Sequence, residues 1–124
     1  MIAADTSSLV AYFQGEPGDD CEAIERAMSG QVLVLPPVVA TELLSDPKAG
    51  PELRDVIVGL PLLEPGPGFF YRAGELRAKL LARKLKARVA DALIAQSCID
   101  HRLPLITRDA DLKPYAKLAG LRLA

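Results

Sequence analysis

The chain has 124 residues, half of them hydrophobic and a quarter charged, with a formal net charge of −1. That length suits a single domain over residues 1–124 with a core of its own, and the composition excludes a disordered chain. No apolar run is long enough to span a bilayer. The start, Met1-Ile-Ala-Ala-Asp5, has no basic region and meets an acid at once, so neither a membrane anchor nor a signal peptide is expected, and a cytoplasmic location is.

Met1–Ala4 predicts a short first strand, although two alanines are poor strand formers. Asp5 follows, then Thr6-Ser7-Ser8, whose hydroxyls suit a helix start before Leu9–Phe13. Asp5 is thus either a helix cap or a ligand at a strand end. Gly15–Gly18 breaks the chain, and Asp19–Ser29 shows apolar residues at helical spacing, closed by Gly30. Val32–Leu35 is a continuous apolar run that suits a buried parallel strand. After Pro36-Pro37 comes a helix, Val38–Leu44, in which Glu42 is the one acid, either facing solvent or held by a partner. A further helix is expected over Glu52–Val58, stopped by Gly59, and an extended segment at Leu60–Leu63.

Glu64-Pro-Gly-Pro-Gly68 is the strongest turn signal. Phe69 to about Leu85 is the longest predicted helix, and Val89–Ile99 the next, with Asp91 in its first turn, where a carboxylate complements the helix dipole. The lone His101 sits at that helix's end, a structural position. Leu105-Ile106 is a strand ending in Thr107, Asp109 and Asp111, and Asp111 is placed to cap a last helix to Leu118 before a final strand at Gly120–Leu123. Cys21 and Cys98 lack the spacing of a zinc site; Cys98 is expected in the core, and a disulfide is disfavoured in a cytosolic chain.

The small net charge hides an asymmetry. Arg72–Arg88 carries seven basic residues against Glu75 alone, a window of +6 that leaves −7 for the remainder. Such a charge run is either a solvated helix flank or a surface for phosphates, with Arg77, Arg83, Lys84, Lys86 and Arg88 as the contacts.

Strands alternating with helices predict a mostly parallel sheet covered on both sides. Asp5 and Asp109 then leave carboxyl ends of strands on one edge, where ligands collect. Asp91 and Glu42 enter from the neighbouring helices. Each acid has an ordinary structural explanation singly. Four at one edge repel, and a divalent cation is the simplest remedy. An oxygen-only donor set selects Mg²⁺ or Mn²⁺ over zinc and supports hydrolysis of a phosphodiester, with the basic flank gripping the nucleic-acid backbone.

Asp5-Thr-Ser behind an apolar run, Thr41-Glu42-Leu43, Asp91-Ala-Leu-Ile-Ala95 and Leu105-Ile-Thr-Arg-Asp-Ala-Asp111 together resemble the motifs of the PIN-domain ribonucleases. At this length the chain is similar throughout to the VapC-type toxins of toxin–antitoxin pairs. The resemblance implies a three-layer α/β/α fold and a Mg²⁺- or Mn²⁺-dependent endoribonuclease. It implies metal-binding and catalytic roles for Asp5, Glu42, Asp91 and Asp109, with Asp111 as an auxiliary, and carboxylate-orienting roles for Thr6 and Thr107. It also implies an RNA substrate, a homodimer and a small inhibitory antitoxin. Two features depart from the family: the first strand is poor in Val, Leu and Ile, and Lys86–Ala90 lacks the glycine or proline that often precedes the third acid.

The alternative in another class is a non-catalytic RNA-binding or scaffold domain on the same fold. A phospho-accepting receiver domain would need an acidic pair after the first strand and a late Lys, where Arg108 stands instead. A haloacid-dehalogenase-like phosphatase would need a second Asp at the position of Ser7.

Overall fold

The computed structural model describes all residues from Met1 to Ala124. Its centre is β1 (Ile2–Ala4), flanked by β2 (Leu33–Val34) and β3 (Leu105–Ile106), all parallel in the order β2-β1-β3. Ala3 lies opposite Val34 on one side and Leu105 on the other, and Ala4 lies opposite Ile106. The low strand propensity of the alanines is overridden because β1 is paired along both edges. Their small side chains also leave room for helices on either face. Successive strand residues point to opposite faces, and Ala3, Ala4, Leu33, Val34, Leu105 and Ile106 are all buried, so both faces are covered. This is the three-layer α/β/α arrangement.

The extended segments expected at Leu60–Leu63 and Gly120–Leu123 each reduce to a single parallel bridge, Leu35 with Leu62 and Leu105 with Leu123. Pro61 accepts from the Leu35 N–H but has no N–H to return, which keeps the first of them short.

The helices are α1 (Thr6–Phe13), α2 (Asp19–Ser29), α3 (Pro37–Leu44), α4 (Pro51–Gly59), α5 (Phe69–Ala82), α6 (Val89–His101) and α7 (Lys113–Ala119). α3 and α4 begin at proline, whose missing N–H costs nothing in a first turn. α5 ends before the expected Leu85: Lys84 takes a positive φ of 60° and the Leu85 N–H returns to the Leu80 carbonyl. The expected helix from Asp111 is split into a 3₁₀ turn, Ala110–Leu112, and α7. Asp109, not Asp111, caps that turn, accepting from the Asp111 N–H at 2.9 Å. α6 packs against α5 and α3, α1 against α2 and α3, and α2 against β2 and β3. No helix is long and apolar enough to cross a membrane.

Candidate active site

β1 and β3 end side by side, the Asp5 N–H donating to the Ile106 carbonyl at 3.0 Å. That pairing sets Asp5 at the carboxyl edge of the sheet, 3% exposed. Its carboxylate caps α1, with Oδ1 accepting from the Ser7 N–H, so cap and candidate ligand are one residue. Its Oδ2 accepts from the Thr107 hydroxyl, and the same hydroxyl accepts from the Asp109 N–H at 3.0 Å. Thr107 therefore orients Asp5 and ties it to the Asp109 backbone. Burial pushes the Asp5 carboxyl above its ordinary value, against the hydrogen bonds from Thr107 and Ser7, and Asp109 adds to the rise.

Glu42 is half-buried on α3, its Oε1 accepting from the Thr6 hydroxyl at 2.6 Å. Thr6 follows Asp5 directly, so α1's first residue joins the second acid to the first.

Asp91, Asp109 and Asp111 converge from α6 and the 3₁₀ turn, each placing a carboxylate oxygen within 4.8 Å of the others. Asp111, expected only as an auxiliary, belongs to this closest group, whereas Asp5 and Glu42 flank it through Thr107 and Thr6. Asp91 is 3% exposed in the first turn of α6. Burial raises its carboxyl; Arg88 pulls the other way, and Asp109 and Asp111 add to the rise. Behind it the Tyr115 hydroxyl is wholly buried without a hydrogen-bond partner, and burial, with Asp91 nearby, pushes it up to about 12.

Arg88 caps α6 and lies on the acids. Its Nε and Nη2 donate to Asp91 Oδ2 and Oδ1 at 3.1 and 3.2 Å, and Nη2 reaches Asp109 Oδ2 at 3.3 Å. Lys86 Nζ lies 3.1 Å from Asp111. Two of the five residues expected on an RNA backbone are thus paired with the acids instead. A third, Arg77, donates to the Ala87 carbonyl at 2.7 Å. Arg83 and Lys84 remain exposed and unpaired. Arg83 shares a groove of about 510 Å³ with Lys113 and Lys117 of α7. Those two lysines lie outside the basic window and carried no sequence signal. The Arg88–Asp91 pair did carry one: an i,i+3 spacing at a helix start.

Arg108, between Thr107 and Asp109, turns away from the cluster. Its Nε donates to Asp20 Oδ2 at 2.7 Å and its Nη2 to Asp20 Oδ1 at 2.9 Å, while Ser8 donates to Asp20 Oδ2 at 2.8 Å. These bonds hold the Asp20 carboxyl far below its ordinary value, the Arg108 bonds most. His101 contacts the Glu64 carbonyl at 2.8 Å, a structural role. Cys21 and Cys98 are both buried and free, and burial pushes the Cys98 thiol up to about 12.

A family profile described as the PIN domain matches residues 2–118. The fold is similar to that of VapBC2 from Rickettsia felis bound to a DNA fragment from their promoter. There the TM-score is 0.74 at 21% identity, over 100% of this chain and 98% of that one. It is also similar to VapBC-5 from Mycobacterium tuberculosis, of the VapBC family of toxin-antitoxin systems, with TM-score 0.66, 19% identity, and 98% and 95% of the two chains covered. FitAcB from Neisseria gonorrhoeae gives 0.67 at 17% identity, covering 99% and 96%. No curated protein matches by sequence.

Proposed function

The chain belongs to the PIN-domain family, and from that premise we propose that it is a metal-dependent endoribonuclease acting as the toxin of a toxin–antitoxin pair. The observation that carries the proposal is the convergence of Asp91, Asp109 and Asp111 at the sheet edge where Asp5 is fixed by Thr107. The likeness to VapBC structures over nearly the whole of both chains supports the toxin assignment and a small antitoxin as partner.

The donor set is oxygen-only and fits a hard divalent ion, Mg²⁺ or Mn²⁺. Asp91, Asp109 and Asp111 would hold it, with Asp5 beside them. When bound, such an ion activates water and offsets the charge that develops on the phosphodiester in in-line hydrolysis. Thr107 and the Ser7 N–H fix both Asp5 oxygens, so this carboxylate cannot rotate out of place. Glu42 has Oε1 held by Thr6 and keeps Oε2 to accept a proton from the attacking water. Arg83, Lys84, Lys113 and Lys117 offer unpaired cations to the RNA backbone. A second copy and the antitoxin are the partners we assign; the apolar groove between α5 and α6, rimmed by exposed Phe70, Leu81 and Val89, supports a protein-binding face.

The test is cleavage of total cellular RNA by the purified chain in Mg²⁺ or Mn²⁺. Asp5→Asn and Asp91→Asn are expected to lose cleavage, on the order of 100-fold or more, while circular dichroism shows the fold retained. Full activity in both variants would reject the site, and cleavage that survives EDTA would reject the metal.

A further inference from the structure

Arg88 is the one cation that touches two of the acids together. Three features set it apart from an ordinary surface pair. It engages both oxygens of Asp91, which is 3% exposed, and one oxygen of Asp109. These are atoms that a divalent ion in the Asp91–Asp109–Asp111 group would need. Its own side chain is 56% exposed, so it can leave without unfolding the core.

We propose that Arg88 is the built-in counter-cation of this site, competing with the divalent ion for the same carboxylate oxygens and released from them when the ion binds. The inference rests on the metal-dependent reading above. Like charges brought within 4.8 Å require a compensating positive charge, and Arg88 supplies it from the N-terminal cap of α6, one helical turn before Asp91. A metal ion and a guanidinium cannot both occupy the inner faces of Asp91 and Asp109. Metal uptake therefore has to break the Arg88 contacts, while the exposed guanidinium stays tethered by the α6 cap.

The test is Mn²⁺ titration calorimetry of the full chain without RNA. Arg88→Met is expected to bind Mn²⁺ roughly five- to tenfold tighter than the wild type, the range set by losing one or two half-exposed ion pairs. Arg88→Lys, which keeps the charge but not the fork, should fall between. Arg83→Met removes a charge that touches no acid and should leave the affinity within about twofold. Equal tightening in Arg83→Met and Arg88→Met would overturn the proposal, because general charge would then explain it; so would unchanged or weaker Mn²⁺ binding in Arg88→Met. Absence of Mn²⁺ binding to both wild type and Arg88→Met would remove the metal reading itself, and the competition with it. Should Arg88→Met not fold, the wild-type chain answers by NMR. The Arg88 Nε–H resonance should shift when Mg²⁺ is added, together with the Asp91 carboxyl carbon; a shift at Asp91 with Arg88 unmoved would overturn the competition alone.

Discussion

Thr107 shows at the scale of one side chain how the site is held. Its hydroxyl has one proton, given to Asp5, and a lone pair that takes the Asp109 N–H. Thr107→Val keeps the shape and removes both bonds, leaving Asp5 half-held. We expect Mn²⁺ affinity to fall on the order of tenfold, as for other residues that orient ligands from behind, with a stability loss of about 1–2 kcal/mol; calorimetry and urea unfolding read the two separately. The acids themselves set the pH response. Asp5 and Asp91 have folded-state values above the ordinary 3.8, chiefly through burial. Such groups favour the folded, metal-free chain below 3.8, and that contribution is lost as pH rises through their raised values. Metal needs them ionised. The rise in melting temperature on adding Mg²⁺ should therefore be small near 3.8 and grow as pH climbs above it; a Mg²⁺ effect independent of pH would contradict the placement of the ion at these acids.

Among the elements, the β3 exit is secured from a distance. Arg108 points away from the acids and clamps Asp20 at the start of α2, and so fixes the backbone that presents Thr107 and Asp109. Gly18, just before α2, has φ 147°, and a Cβ there would lie 2.9 Å from Arg108 Nη2 and 2.5 Å from Asp20 Oδ1. Because Asp20 is held below 3.8, chiefly by Arg108, the clamp stabilises above that value and is lost as pH falls through the lowered one. Asp20→Asn is expected to cost about 1–2 kcal/mol at neutral pH, the loss shrinking in strong acid. Chemical denaturation at the two pH values checks it. This clamp joins residues 88 positions apart and left no trace in local periodicity. By contrast, α2, α3 and α6 were legible within a residue or two, because apolar spacing, proline and first-turn acids act locally. β1 was legible as a short apolar run ending at an acid, although its alanines made the signal weak. The split of the last helix was hidden because Asp109 and Asp111 are equally good caps on paper, and the choice depends on where β3 delivers the chain.

At the scale of the whole molecule, the charge asymmetry read from the sequence is real, but its contacts are redistributed. Arg72 pairs with Asp100, Lys79 with the Leu118 carbonyl, Arg77 with that of Ala87, and Lys86 and Arg88 with the acids. The basic window is in large part spent on holding α5 and the following loop to the rest of the fold. What remains for a polyanion is Arg83 and Lys84, and the groove adds Lys113 and Lys117 from a helix whose charges looked unremarkable. Counter-ion release then separates free cations from committed ones. In EDTA, RNA affinity should fall linearly with salt on logarithmic axes, and each of Arg83→Ala, Lys113→Ala and Lys117→Ala should reduce the slope by about 0.7. Arg72→Ala should leave the slope unchanged, because that cation is already neutralised by Asp100. Filter binding of a short single-stranded RNA across a salt series measures it. Equal slope changes for Arg72→Ala and Lys113→Ala would mean that RNA sees only net charge, and the groove lined by Arg83, Lys113 and Lys117 would not be its contact surface.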